Sequence, residues 1–126
     1  MTNVTRLRVN EAARLDTDRL ESLVLEYGEP GAERFLGRTL EDIAVRLNRV
    51  ERSWRRKDMV RLCHGARELS GVAEMVGLTT LARAAENASS AAISGDLAAM
   101  ASTMSRLSRI GEVSLISIWD QQDQSI

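Results

Sequence analysis

Aromatic side chains make up only 3% of this 126-residue sequence. A core must therefore be aliphatic, assembled from Leu, Val, Ile, Ala and Met. Proline occurs once, at Pro30, so long stretches are free of helix breakers. The single cysteine, Cys63, excludes an internal disulfide and fits a reducing compartment. The single histidine, His64, has no second histidine or Cys/His cluster with which to build a zinc site, so no metal and no cofactor is expected. Lys57 is the only lysine among 17 basic residues, a bias that reads as a GC-rich bacterial source and not as function. No apolar run approaches the ~18–20 residues needed to span a bilayer. The N-terminus lacks the apolar core of a signal peptide, so a cytoplasmic location is expected. The net charge of −1 exerts no overall pull on nucleic acid or membrane, and no membrane partner is expected. Neither GxxxxGK[ST] nor GxGxxG is present, and no nucleophile–base spacing stands out. An enzyme with its own pocket is not indicated.

What is present points to helix. Apolar residues make up 44% and charged residues 28%, with Ala and Leu abundant. Residues 1–14 read as a flexible N-terminal arm. Asp16 or Thr17 can cap a short helix carrying Leu20, Leu23, Val24 and Tyr27, which Gly28 ends. Pro30 suits the first turn of a second, long helix. There Leu36, Leu40, Ile43, Leu47, Val50 and Trp54 follow the 4, 3, 4, 3, 4 spacing of a bundle seam. Its charged residues, Arg46, Arg49, Arg52, Arg55 and Arg56 among them, read as an outer face. Asp58 can cap a third helix with Leu62, Ala66, Leu69, Ala73 and Val76 as its seam. After Gly77 a fourth helix carries Leu78, Leu81, Ala85, Ala88 and Ala92. Ser94-Gly95-Asp96 is a stop followed by a new cap. The last helix carries Leu97, Met100, Met104 and Leu107 and extends to Ile118. Short links between long helices force antiparallel neighbours. The expected fold is all-α: an up-and-down antiparallel four-helix bundle over residues 15–119, with the short N-terminal helix across one end and a polar tail over 120–126.

Within this pattern the stretch from Gly65 to Gly77 is unusual, because it places three glycines in one helical segment. A glycine in a helix interior costs about 1 kcal/mol relative to alanine. With Leu62, Ala66, Leu69 and Ala73 directed inward, the 100° turn per residue directs His64, Arg67, Gly71 and Glu74 outward, with Arg61 on the flank. Gly71 falls mid-face, where a missing side chain lets another backbone come close. Gly65 points partly inward and permits close helix packing, and Gly77 ends the helix. Outward His64 is a solvated imidazole or, alternatively, a nucleophile toward phosphoryl groups.

This stretch resembles the motif of the histidine-containing phosphotransfer (HPt) domains of bacterial phosphorelays, roughly A-H-x-L-K-G-x-x-x-x-x-G-x-x-x-L followed by Glu. Ala66-Arg67-Glu68-Leu69-Ser70-Gly71 aligns with A-H-x-L-K-G. Gly77 matches the second glycine, Leu81 the leucine, Glu86 the acidic residue and Asp58 the upstream cap. The likeness covers about residues 15–118. It departs at the chemistry: Arg67 stands where the phosphoacceptor histidine belongs, and Ser70 replaces the assisting lysine. Arginine stays protonated and has no free lone pair, so it cannot be the acceptor. The resemblance therefore implies a pseudo-HPt domain that docks without carrying phosphate. Its partner would be the receiver domain of a response regulator, or a histidine kinase. The docking face would hold Arg61, Ser70, Gly71 and Glu74, with the turn at Gly77 behind it. Arg67 would complement the acidic receiver site.

Three further readings stand beside it. In a second register His64 is the acceptor and Arg67 the assisting cation, but Glu68 and Glu74 then fall on the glycine positions. A nucleic-acid-binding bundle could use the arginines between Arg46 and Arg61, although interspersed acids and the lack of stacking aromatics oppose it. The apolar run Val113, Leu115, Ile116, Ile118 and Trp119 covers the first helix or makes a homodimer through the C-terminal helix.

Overall fold

The computed structural model describes residues 16–124, with side chains described through residue 116. Among the described residues there are four helices and no strand: α1 (Thr17–Arg55), α2 (Met59–Met75), α3 (Thr79–Ser94) and α4 (Leu97–Gln124). The expected N-terminal arm, residues 1–14, lies outside the described residues.

Aspartates start three of the helices. Asp16 Oδ1 accepts from the backbone N–H of Asp18 and Arg19 at 3.0 and 3.4 Å. Asp58 Oδ1 accepts from Arg61 N–H at 3.1 Å, and Asp96 Oδ1 from Ala98 and Ala99 at 3.1 and 3.2 Å. Each such cap is worth about 1 kcal/mol. Inside α1 the helix is broken at Gly28, whose φ of 75° and ψ of 168° lie outside the helical region. Pro30 restarts it. The segment before the break is the short N-terminal helix that the capping and glycine signals predict. The Tyr27 and Phe35 rings stack across the break, 5.7 Å apart.

The helix order is that of an up-and-down bundle. α1 packs on α2, α2 on α3, α3 on α4, and α4 returns to α1. Leu40, Ile43, Leu47 and Val50 of α1 meet Leu62, Ala66, Leu69 and Ala73 of α2, Leu81, Ala85 and Ala88 of α3, and Met100, Met104 and Leu107 of α4 in one core. These are the residues that the sequence spacing selects. Three residues expected on apolar faces are exposed instead: Val24 (39%) and Tyr27 (50%) on the N-terminal segment, and Leu97 (60%) at the first residue of α4, where burial begins one turn later at Met100. Of the C-terminal apolar run, Leu115 is buried, Val113 half-buried and Ile116 exposed. Ile118 and Trp119 lie outside the described side chains.

The N-terminal segment crosses the end of the bundle where α2 turns into α3. Asp16 N–H donates to Gly77 O at 2.7 Å, and Arg19 Nε donates to Met75 O at 2.7 Å. Leu23 is buried beneath it. Gly77 makes this possible in two ways. Its φ of +77° turns the chain, and a Cβ there would stand 2.9 Å from Asp16 Cβ and 3.1 Å from Asp16 O. Gly77→Ala should therefore cost about 1–3 kcal/mol in chemical denaturation, through left-handed strain and displacement of the N-terminal segment.

Candidate functional site

α2 and α3 meet along small residues. Ala66 and Ala73 on one side, and Ala82, Ala85, Ala88 and Ala92 on the other, are all buried. Short side chains let two helix axes approach closely, and two polar contacts set the register. Ser70 Oγ donates to Ala82 O at 2.9 Å, and Cys63 Sγ lies 3.2 Å from Ser89 Oγ. Residues whose numbers add to about 152 thus stand opposite one another along the whole pair.

On the outer side of this seam runs an open groove of about 310 Å³. Arg67, Ser70, Gly71 and Glu74 line it from α2, and Glu86, Ser89, Ser90 and Ile93 from α3. Arg67 is exposed and makes no hydrogen bond or ion pair among the described residues, so its guanidinium is free to meet an incoming group. Gly71 is exposed within the 17-residue α2, and no atom lies within 4 Å of where its Cβ would be. Packing in this chain does not require glycine there. By contrast, a Cβ at Gly65 would come 3.2 Å from Val50 Cγ2, so Gly65 serves the α1–α2 contact. Glu74 and Glu86 bring negative charge to the two walls.

The outward face read from the helical spacing is thus divided. Arg67, Ser70, Gly71 and Glu74 converge on the groove. Ser70, however, is half-buried and commits its hydroxyl to α3, so it shapes the floor. Arg61 lies apart, exposed beyond the groove, with its Nε 3.4 Å from Asp58 Oδ2. His64 is exposed one turn before Arg67, also outside the groove lining. Gly77 is buried at the corner. The α3 wall was only partly legible: Glu86 belongs to the motif, but Ser89, Ser90 and Ile93 were not singled out. The 4, 3 spacing of Glu86, Ser90 and Ile93 beside the alanine seam carries that signal.

Arg46, expected on a solvated face, is instead half-buried and bridges two helices. Its Nε meets Asp42 Oδ1 at 3.0 Å and its Nη1 meets Glu68 Oε2 at 2.7 Å. The hydrogen bond to Asp42, more than the weaker contribution of Glu68, holds the guanidinium above its ordinary pKa against the opposing cost of burial. Arg46 is therefore removed from the row of free cations along α1. Among the described residues no group of three His, Cys, Asp or Glu side chains could hold a metal ion. Comparison with known proteins returned no matching family model, no matching curated protein and no matching solved structure.

If Gly71 is retained for contact and not for folding, Gly71→Ala should leave the fold intact and raise stability by about 0.5–1 kcal/mol in urea or thermal unfolding.

Proposed function

We infer that this chain is an HPt-like docking module. It binds the receiver domain of a response regulator, or a histidine kinase, through the α2–α3 groove and does not itself carry the phosphoryl group. The observation that carries this reading is the pairing of an unpartnered, exposed Arg67 with the open backbone of Gly71 on one groove, at the positions where the HPt-like motif falls. A receiver's phosphorylation site is built around acidic side chains. The free guanidinium, which shares the groove with Glu74 and Glu86, is a forked donor for a phosphoaspartate. Gly71 supplies the clearance that a docking helix needs.

Phosphotransfer through His64 is the second reading. It is supported by the position of His64, exposed on α2 one turn from Arg67. In that reaction an imidazole nitrogen attacks the receiver's acyl phosphate, the P–O bond to aspartate breaks, and the carboxylate leaves.

Binding of a receiver panel to the wild-type chain and to Gly71→Arg tests the docking reading. At least a tenfold loss in affinity is expected for the variant, since an arginine side chain would fill the clearance, and unchanged affinity would refute it. Incubation with phosphorylated receivers should give no acid-labile label on the wild type. Label that vanishes in His64→Ala would favour the second reading.

A further inference from the structure

The net charge of −1 conceals a strong separation of charge along the bundle. The up-and-down order brings the α1–α2 turn and the α3–α4 turn to one end, opposite the N-terminal segment. Arg49, Arg52, Arg55, Arg56, Lys57 and Arg61 are all exposed at that end. The acids nearby are already engaged. Asp58 caps α2 and lies 3.4 Å from Arg61 Nε, Asp96 caps α4, and Glu51 accepts from Ser108 Oγ at 2.9 Å, which leaves Arg49, Arg52, Arg55, Arg56 and Lys57 without an ion pair among the described residues. The far end, around the Gly28 break, carries Asp18, Glu21, Glu26, Glu29 and Glu33, which outnumber Arg19, Arg34 and Arg38.

The basic end is also apolar. Val60 is 69% exposed, Ile93 68% and Leu97 60%. The α2–α3 register places Val60 directly across from Ile93, and Leu97 follows the turn after Ile93. Lys57 adds a backbone oddity. It is the one non-glycine with positive φ among the described residues, at 56°, and its Nζ sits 3.6 Å over the Trp54 ring. A position that favours glycine thus holds a cation whose stem and neighbour are apolar.

We propose that this end of the bundle binds an anionic phospholipid surface. The cations meet the lipid phosphates and carboxylates, while Val60, Ile93 and Leu97 enter the headgroup–acyl boundary and the acidic end points away. A bilayer fits better than a second copy of the chain, because the end of a four-helix bundle is small beside the roughly 800 Å² per partner of a stable protein interface. It fits better than nucleic acid, because a phosphate backbone makes no use of three exposed aliphatic side chains, and Trp54 is covered by Lys57. No described helix is long and apolar enough to cross a membrane, and attachment to the surface needs none. Ile93 also lines the α2–α3 groove, so the two surfaces meet at that residue, whereas Val60, Leu97 and the cations of the α1–α2 turn lie outside the groove lining.

Co-sedimentation of the whole chain with phosphatidylcholine vesicles, with and without phosphatidylserine, tests it. Binding should require phosphatidylserine and weaken with salt. It should fall about fivefold per cation neutralised, in Arg55→Gln and Arg56→Gln. Val60→Ser combined with Leu97→Ser should weaken it severalfold at unchanged charge, with circular dichroism confirming the fold. Absence of phosphatidylserine-dependent binding would overturn the proposal. So would binding to vesicles and duplex DNA alike that ignores the Val60 and Leu97 substitutions.

Discussion

Close packing of α2 against α3 along alanines is the constraint from which the rest of the molecule follows. Alanine contributes little buried area per residue, so this seam gains stability from proximity and numbers. Each contact is individually weak, but closely packed atoms accumulate dispersion energy. The hydrogen bond from Ser70 to Ala82 O, worth about 1 kcal/mol, and the Cys63–Ser89 contact lock the register. Larger residues at Ala85 or Ala88 would push the helices apart. The groove over the seam would widen, and the turn at Gly77 would no longer meet the N-terminal segment. The site and one end of the bundle are thus fixed by the same pairing.

The glycines divide by role within that frame. Gly65 and Gly77 answer to packing, one beside Val50 and the other beneath Asp16. Gly71, like Gly37 in α1, meets no neighbouring side chain among the described residues where a Cβ would stand, so packing explains neither. At Gly71, which costs α2 about 1 kcal/mol one turn from an exposed Arg67, the proposed docking role supplies a reason. Arg46 and Arg67 show the same division among cations. Arg46 is spent on joining α1 to α2 through Asp42 and Glu68, whereas Arg67 is left exposed without a partner.

Much of the fold could be read from local signals. Asp16, Asp58 and Asp96 cap helices because a short acidic side chain reaches the first free N–H groups, which is a property of a few adjacent residues. The seams from Leu40 to Val50 and from Leu62 to Ala73 follow from the helical period alone. The inaccessible part depends on neighbours. The HPt-like motif places Ser70 on the docking face, but the hydroxyl is taken up by Ala82 O once α3 is in place. Arg46 and Leu97 were misplaced for the same reason: pairing with Glu68 and the start of burial at Met100 depend on how separate helices align. The segregation of charge vanishes in a sum over the sequence; the basic stretch from Arg49 to Arg61 is visible there, but that it lies at the end opposite the acids from Asp18 to Glu33 depends on how the chain doubles back.

Docking through the α2–α3 groove can be read residue by residue in an amide NMR titration of the chain with receiver domains. Shifts are expected to be confined to Arg67, Ser70, Gly71 and Glu74 on α2 and to Glu86 through Ile93 on α3, with α1 and α4 unmoved. Saturable binding whose shifts fall on α1 or α4, or the absence of shifts with every receiver, would contradict it.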